Sequence, residues 1–483
     1  MRPRHRPPTG GIAAASALGL KAAVLTVVEQ AAVKFPRPPA DYRNVRGLTY
    51  CVLTAIVSLS GTLQGNGLFN NGTGARSRGV AGADTAWSDS VLGAMHNNPA
   101  HLDTVTNRFL EFGGAGGIAS GDYRNSTGDR SSLRNNFGAW PEAAFGMRLG
   151  PQWVVGVSFA PQTALEAEWT FLDPPGGADG KTSYGRQTHR SRILVLRSAA
   201  GASWSPTETL SIGASIGLLY NENELHAPYI FQSQKSLRGA KVLLDLETSG
   251  YGWDAEAGAV WRPHPKWQVG VSYKTRGVVK TEGDADGNAG VQFANLGLGG
   301  ARPDFHYDAE VENEFPQTAS LGVSWQLHER WRWLGQVDWI NWSDSFDTLE
   351  VKLRHGNNAD LNGVVGSSAL RDRAPLDWSD RFVFRTGVEF TATEHWRLRG
   401  GYSYGRNPVP ASTLTPMSAA ILEHTIATGA GWENQRFSMD FAYQWNIPNR
   451  ERVNRSDLRS GEYSHSRVEA GVHWFGLIAG VRF

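Results

Sequence analysis

The chain holds one cysteine, Cys51, in 483 residues. An intrachain disulfide and a thiolate zinc cluster are therefore both excluded. No run of 18 apolar residues occurs, so the usual mark of a membrane-crossing helix is missing. Charge is balanced, with 47 Lys and Arg against 46 Asp and Glu, and no basic patch suggests nucleic acid. The 13 histidines show no zinc spacing, and no phosphate loop appears. The triplets Gly156-Val157-Ser158, Gly270-Val271-Ser272 and Gly322-Val323-Ser324 fall inside alternating stretches. They lack the strand-to-helix turn that a nucleophile elbow needs. No catalytic residue, metal ligand or cofactor is assigned.

What the chain has is glycine (56), tryptophan (18) and a period of two. Phe437, Met439, Phe441, Tyr443 and Trp445 share one face of a strand, and Ser438, Asp440, Ala442, Gln444 and Asn446 share the other. Trp267–Lys274, Thr318–His328 and Arg381–Glu389 repeat the pattern. A soluble β-sandwich would also alternate, but here the polar faces carry charge and the apolar faces carry rows of aromatics. That is the pattern of a barrel with lipid outside and water inside. Strands are predicted near 107–118, 138–150, 152–160, 189–204, 207–220, 248–262, 265–275, 314–328, 330–340, 379–394, 395–406, 420–434, 435–447 and 464–483. The fold class is thus all-β, a transmembrane antiparallel barrel of about 14 strands over residues 107–483. Its connections alternate between tight turns, such as Gly150-Pro151 and Asn434-Gln435, and long loops at 119–137, 161–188, 221–247, 276–313, 341–378, 407–419 and 448–463. Short turns on one side and long loops on the other are usual for bacterial outer-membrane barrels. Trp253, Trp261, Trp267, Trp331, Trp342, Trp396 and Trp445 stand at strand ends and are expected in interfacial aromatic girdles.

Residues 1–60 carry eight Lys and Arg against two Asp and Glu, a net of +6; the rest carries 39 against 44. Arg43 and Arg46, the apolar run 47–60 and small residues to Gly61 have the layout of a secretory signal, preceded by an Arg-, Pro- and Ala-rich extension. Cleavage is expected near residues 61–65. The chain ends on an alternating strand with Phe475, Leu477, Ala479, Val481 and Phe483 on one face. A terminal aromatic there resembles the signal read by the outer-membrane barrel assembly machinery.

Residues 61–106 are not strand-like. They are rich in Gly and Asn, with a short helical tone. Such a segment before a barrel either sits in the periplasm or folds into the lumen, and fourteen strands enclose a lumen wide enough to leak unless filled. Gly79-Val80-Ala81-Gly82-Ala83, Asp84 with Asp89, and Asn98-Pro99-Ala100 occur there in order, and Tyr404-Gly405-Arg406-Asn407-Pro408-Val409-Pro410 follows in a late loop. In these motifs the chain resembles the outer-membrane long-chain fatty acid transporter (FadL) family. Two positions depart from the family pattern: Asn97 replaces a common aromatic, and Ser88 a common second acid. The resemblance implies a monomeric barrel with a hatch that includes Gly74, Gly79, Gly82, Asp89, Asn98, Pro99 and Ala100. It also implies capture of hydrophobic molecules by external loops, and ligand exit sideways through the wall.

Two loops are unusually apolar. Loop 221–247 carries Tyr229, Ile230, Phe231, Leu243 and Leu244, and is read either as a greasy capture groove with an amphipathic helix or as a loop packed on its neighbours. Loop 276–313 adds Phe293. A carboxylate head would want a cation; Arg238, Lys235, Lys241, Arg76, Arg78 and Arg406 are candidates, with Pro408 and Pro410 beside the last. Asp284-Ala285-Asp286-Gly287-Asn288 starts like a calcium loop but lacks the distal Glu, so no calcium site is assigned. The expected function is passive uptake of hydrophobic molecules across the bacterial outer membrane. Long-chain fatty acids lead, aromatic hydrocarbons are the alternative, and a general porin or an outer-membrane phospholipase rank below. The expected partners are the ligand, outer-membrane lipid and lipopolysaccharide, and the assembly machinery.

Overall fold

The computed structural model describes residues 67–134 and 136–483. The predicted signal segment, its extension and the start of the hatch lie outside the described residues. After two short helices, α1 (Gly74–Gly79) and α2 (Val91–Asn97), and a 3-10 turn at Pro99–Thr104, the chain is almost entirely strand.

The first strands are β1 (Arg108–Arg124), the short β2 (Arg130–Ser132), β3 (Phe137–Arg148), β4 (Trp153–Leu172), β5 (Arg186–Thr207), β6 (Leu210–Ile230), β7 (Lys241–His264) and β8 (Trp267–Lys274). β9 (Gly277–Asn288), helix α3 (Gly290–Asn295), β10 (Asp304–Phe315), β11 (Thr318–His328) and β12 (Trp331–Ile340) follow. Then come α4 (Trp342–Ser345), β13 (Thr348–Arg354), α5 (Ala359–Val365), β14 (Leu370–Pro375), β15 (Arg381–Thr391), β16 (Trp396–Gly405), β17 (His424–Glu433), β18 (Phe437–Val453) and β19 (Ser466–Arg482). The antiparallel order β1-β3-β4-β5-β6-β7-β8-β11-β12-β15-β16-β17-β18-β19 returns to β1, which pairs with β19 from Phe109↔Arg482 to Arg124↔Arg467. This is a closed ring of fourteen strands, each at a position the alternation had marked. Closure leaves the ring no open edge, which a strand structure in lipid requires.

The outward face is apolar along the membrane zone, with Ile216, Leu218, Phe384, Phe441 and Leu477 exposed. Trp267 stacks on Trp325 at 4.8 Å, and Trp153 on Trp204 at 6.0 Å, next to the tight turns. Six of the seven predicted girdle tryptophans are exposed; Trp342, at 1%, is not, because its helix α4 turns into the barrel.

The long connections are less loop-like than their composition suggests. β6 and β7 continue as one hairpin through 221–247, pairing from Leu210↔Trp261 to Ile230↔Lys241. The amphipathic helix expected there does not form. Val242, Leu244 and Leu246 alternate with Leu243, Asp245 and Glu247, a strand period with its apolar face inward. β7 also changes partner. It pairs with β8 from Glu256 to His264, and with β9 from Leu243 to Trp253. β10, β13 and β14 add to β9, so an outer sheet rises above the ring.

Candidate ligand passage

The hatch residues pack against the inner wall. Gly74 (φ +78) and Gly82 (φ +75) take left-handed backbone that side chains other than Gly rarely adopt. Asn98 is fully buried. Its Oδ1 accepts the Ala100 N–H at 3.2 Å, and its Nδ2 donates to Thr85 O at 2.8 Å and to Ala259 O on β7 at 3.3 Å. Pro99 opens the 3-10 turn, where its missing N–H costs nothing. The wall meets this turn with glycine: a Cβ on Gly213 would lie 2.3 Å from Pro99 C, and one on Gly258 2.1 Å from Asn98 Oδ1. Asn97, where an aromatic was expected, donates to Asp84 Oδ1 at 2.7 Å.

Charge surrounds the hatch. Arg76 on α1 binds Asp89 and, on the adjacent wall, Asp440 on β18, both at 2.8 Å. Arg399 on β16 also holds Asp440 (2.8 Å) and Glu389 (2.9 Å). Arg78 forms a two-pronged pair with Glu142 on β3 at 2.8 and 2.5 Å. Arg385 binds Asp338 at 2.6 Å and Ala81 O at 2.9 Å, and Arg197 binds Asp254 at 2.8 Å and Met95 O at 2.8 Å. Removing one member of such a buried pair costs about 3–5 kcal/mol. A cavity of about 100 Å³ between hatch and wall is lined largely by polar groups, including His96, Glu256, Lys274, Gln336, Asp338 and Arg385.

Above the hatch the chemistry reverses. Tyr123, Trp140, Trp169, Phe171, Trp342, Phe346, Trp378 and Trp474 form one buried cluster with Leu68, Leu165 and the loop residues Val409, Leu414, Ile421 and Leu422. Trp140 lies 5.9 Å from Trp474, Trp342 lies 5.1 Å from Trp378, and the hatch residue Phe69 lies 5.2 Å from Trp342. Trp169 Nε1 donates to Pro416 O at 3.1 Å, which satisfies its polar edge in dry surroundings. None of these eight rings was among the predicted contacts. For the five on strands the signal was a bulky aromatic on the inner face, as with Trp140 between Gly138 and Glu142; Trp342, Phe346 and Trp378 lie outside strands and gave no such signal.

The same cluster reaches a parting in the wall. β3 and β4 pair from Arg148↔Val154 up to Ala143↔Phe159. Above that rung the β3–β4 ladder stops: β3 continues against β1 and β4 against β5, and β4 next meets the other side where the Arg134 N–H donates to Glu168 O at 2.9 Å. Continued register would place Pro141 opposite Pro161. The Leu149 N–H donates to Trp153 O across this seam, whereas the Arg148 N–H donates to Asn107 O on the other side. Odd residues of β3 therefore offer their N–H to β4, and Pro141 has none to offer. Pro161 fails in the same way, and β4 bulges between Pro161 and Thr163. From Ala160 to Ala167 both faces of β4 are buried, so the strand sinks inward. Asn70 of the hatch donates to the freed Pro161 O at 3.0 Å. Both prolines were readable as strand breakers inside an alternating pattern.

The predicted loop contacts divide into two groups. Phe231, Leu244 and Phe293 are buried with Phe305, Tyr307 and Leu361 in the core of the outer sheet, and Leu243 and Tyr229 are half-buried at its margin. Tyr229 Oη donates to Asp372 at 2.6 Å. Ile230 is buried nearby. These residues pack on their neighbours instead of opening as a groove, because a paired hairpin turns its apolar face to a sheet core. Arg238 and Lys235 are exposed. Lys241 is fully buried, with Nζ 2.6 Å from both Asp173 and Glu462 and 2.8 Å from Pro174 O. It joins three external segments and cannot also receive a ligand carboxylate. Burial raises the Asp173 carboxyl, and pushes Glu462 up to about 7 against the pull of Lys241. Arg76 and Arg78 are committed to the hatch. Arg406 is exposed at the top of β16, and Pro408 beside it is buried while Pro410 is half-buried.

A family profile described as outer membrane protein transport protein (OMPP1/FadL/TodX) matches residues 56–483. No curated relative matches the chain. Among solved structures, the toluene transporter TbuX of Ralstonia pickettii is 19% identical with a TM-score of 0.66, over 86% of this chain and 99% of that one. A Pseudomonas aeruginosa FadL homologue is 15% identical with a TM-score of 0.68, over 86% and 99%. The P. putida toluene transporter TodX is 18% identical with a TM-score of 0.66, over 87% and 99%. At these identities the likeness establishes the fold.

Proposed function

The chain belongs to the OMPP1/FadL/TodX family of outer membrane transport proteins, which are channels for hydrophobic compounds and not enzymes, and on that premise we propose that its cargo is a small apolar molecule of the aromatic hydrocarbon class. The observation that carries this reading is the buried aromatic cluster directly above a charged hatch. Aromatic rings packed offset or edge-on gain about 0.5–1.5 kcal/mol per pair beyond burial, and a small planar ligand displaces few of them. The route runs from the upper lumen to the parting between β3 and β4, because the ion pairs below offer no apolar path. Transit is passive, driven by burial at about 25 cal/mol per Å² of apolar surface. The hatch and its ion pairs argue against an open aqueous pore.

Arg406 supports a second reading. It is exposed at the rim beside buried Pro408 and Val409, where it could hold the carboxylate of a long-chain fatty acid whose tail enters the cluster. Tryptophan fluorescence of the detergent-solubilised chain separates the two. For hydrocarbon cargo, toluene quenches saturably, Trp140→Ala weakens it, and Arg406→Ala does not. For fatty acid cargo, oleate binds more tightly than toluene and Arg406→Ala abolishes the difference. Saturable binding of neither sinks both.

A further inference from the structure

We propose that the outward face of the outer sheet carries a site for a divalent transition-metal ion of the zinc type, held by Asp284, His306 and Asp308 with His355 alongside. The sheet register builds it. Asp284 on β9 stands directly opposite Asp308 on β10, and on its other side opposite Glu247 on β7. Like charges directly opposite each other on neighbouring strands repel, and this row sets three carboxylates side by side. Arg354, opposite Asp308 on β13, does not quench them, since its guanidinium reaches Glu310 at 3.2 Å.

The row also has nitrogen donors. One donor atom each from Asp284, His306 and Asp308 lies within 4.8 Å of the others. His306 Nδ1 is 3.0 Å from Asp286 Oδ1, while its Nε2 is 3.7 Å from Asp284 Oδ1. A carboxylate on Nδ1 fixes the tautomer that leaves the Nε2 lone pair free, an arrangement found behind metal-bound histidines. His355 Nδ1 lies 2.6 Å from Asp308 Oδ2. Bonds of about 2.0–2.2 Å to imidazole and carboxylate bring these donors together with small side-chain rotations. Mixed nitrogen and oxygen donors favour zinc and its neighbours over calcium, which takes six to eight oxygens. The ligands come from β9 and β10, with His355 just beyond β13, so a bound ion would clamp the outer sheet above its Phe305 and Tyr307 core.

The test is calorimetric titration of zinc chloride into the untagged full chain in detergent, stripped beforehand with chelator. One saturable zinc per chain is expected, with affinity lowered at least about tenfold in both His306→Asn and Asp308→Asn and unaffected by millimolar calcium. Heat-modifiable gel mobility, retained in both variants, shows the barrel intact. Absence of saturable zinc, equal affinity in the variants, or displacement by calcium would each overturn the proposal.

Discussion

Restoring two backbone donors at the wall should slow transport. In Pro141→Val/Pro161→Val, each valine supplies the N–H that the β3–β4 ladder lacks one hydrogen-bonded rung above Ala143↔Phe159. Each new N–H···O bond contributes about 1 kcal/mol net, so the double variant favours a closed seam by about 2 kcal/mol. At 1.4 kcal/mol per factor of ten, that is about thirtyfold in population. The closed seam also takes back the Pro161 carbonyl from Asn70, which loosens the hatch end and trims the gain. Uptake of labelled toluene into cells should therefore fall by roughly an order of magnitude, with each single variant in between. Amide exchange gives the control: residues 141 and 161 must become protected, which proves that the ladder has formed. Protected amides with unchanged uptake would refute the claim that ligand leaves between these strands.

Two further outcomes follow from the hatch and the outer segments. Asn98→Ala takes the Oδ1 acceptor from the buried Ala100 N–H and one of two partners from Thr85 O, which keeps His101 Nε2 at 3.1 Å, a cost of about 1–3 kcal/mol, so uptake should drop while gel mobility still reports an intact barrel; normal uptake would remove the basis for the hatch assignment. Glu462 keeps its proton in the native state up to about pH 7, against an ordinary value of 4.5, so stability at the Lys241 junction falls as pH rises through that window, by on the order of 3 kcal/mol. Amide exchange in 456–463, corrected for intrinsic rates, should be faster at pH 8 than at pH 5, and Glu462→Gln should flatten the difference; a pH-independent wild type contradicts it.

All fourteen ring strands were legible because lipid imposes one rule on every one of them, yet their upper ends and the buried aromatic cluster were not. β7 shows why. In its lower half Trp253 and Trp261 face out and Asp254 and Glu256 face in; in its upper half Asp245 and Glu247 face out and Val242, Leu244 and Leu246 face in. The period of two persists, but its polarity inverts. β19 does the same, with Phe475 and Leu477 outward below, and Glu469 outward above an inner row of Val468, Ala470 and Val472. A reading that follows one polarity sees the pattern fail at the inversion and reports a loop, as at residues 221–247. On the outside the inversion marks where lipid gives way to water. On the inside it marks where the charged hatch gives way to the aromatic cluster. A wall polar inside at one level and apolar inside at the next can take up an apolar molecule only above that boundary. On the proposed route the molecule then leaves sideways, at the rung where two prolines withhold their donors.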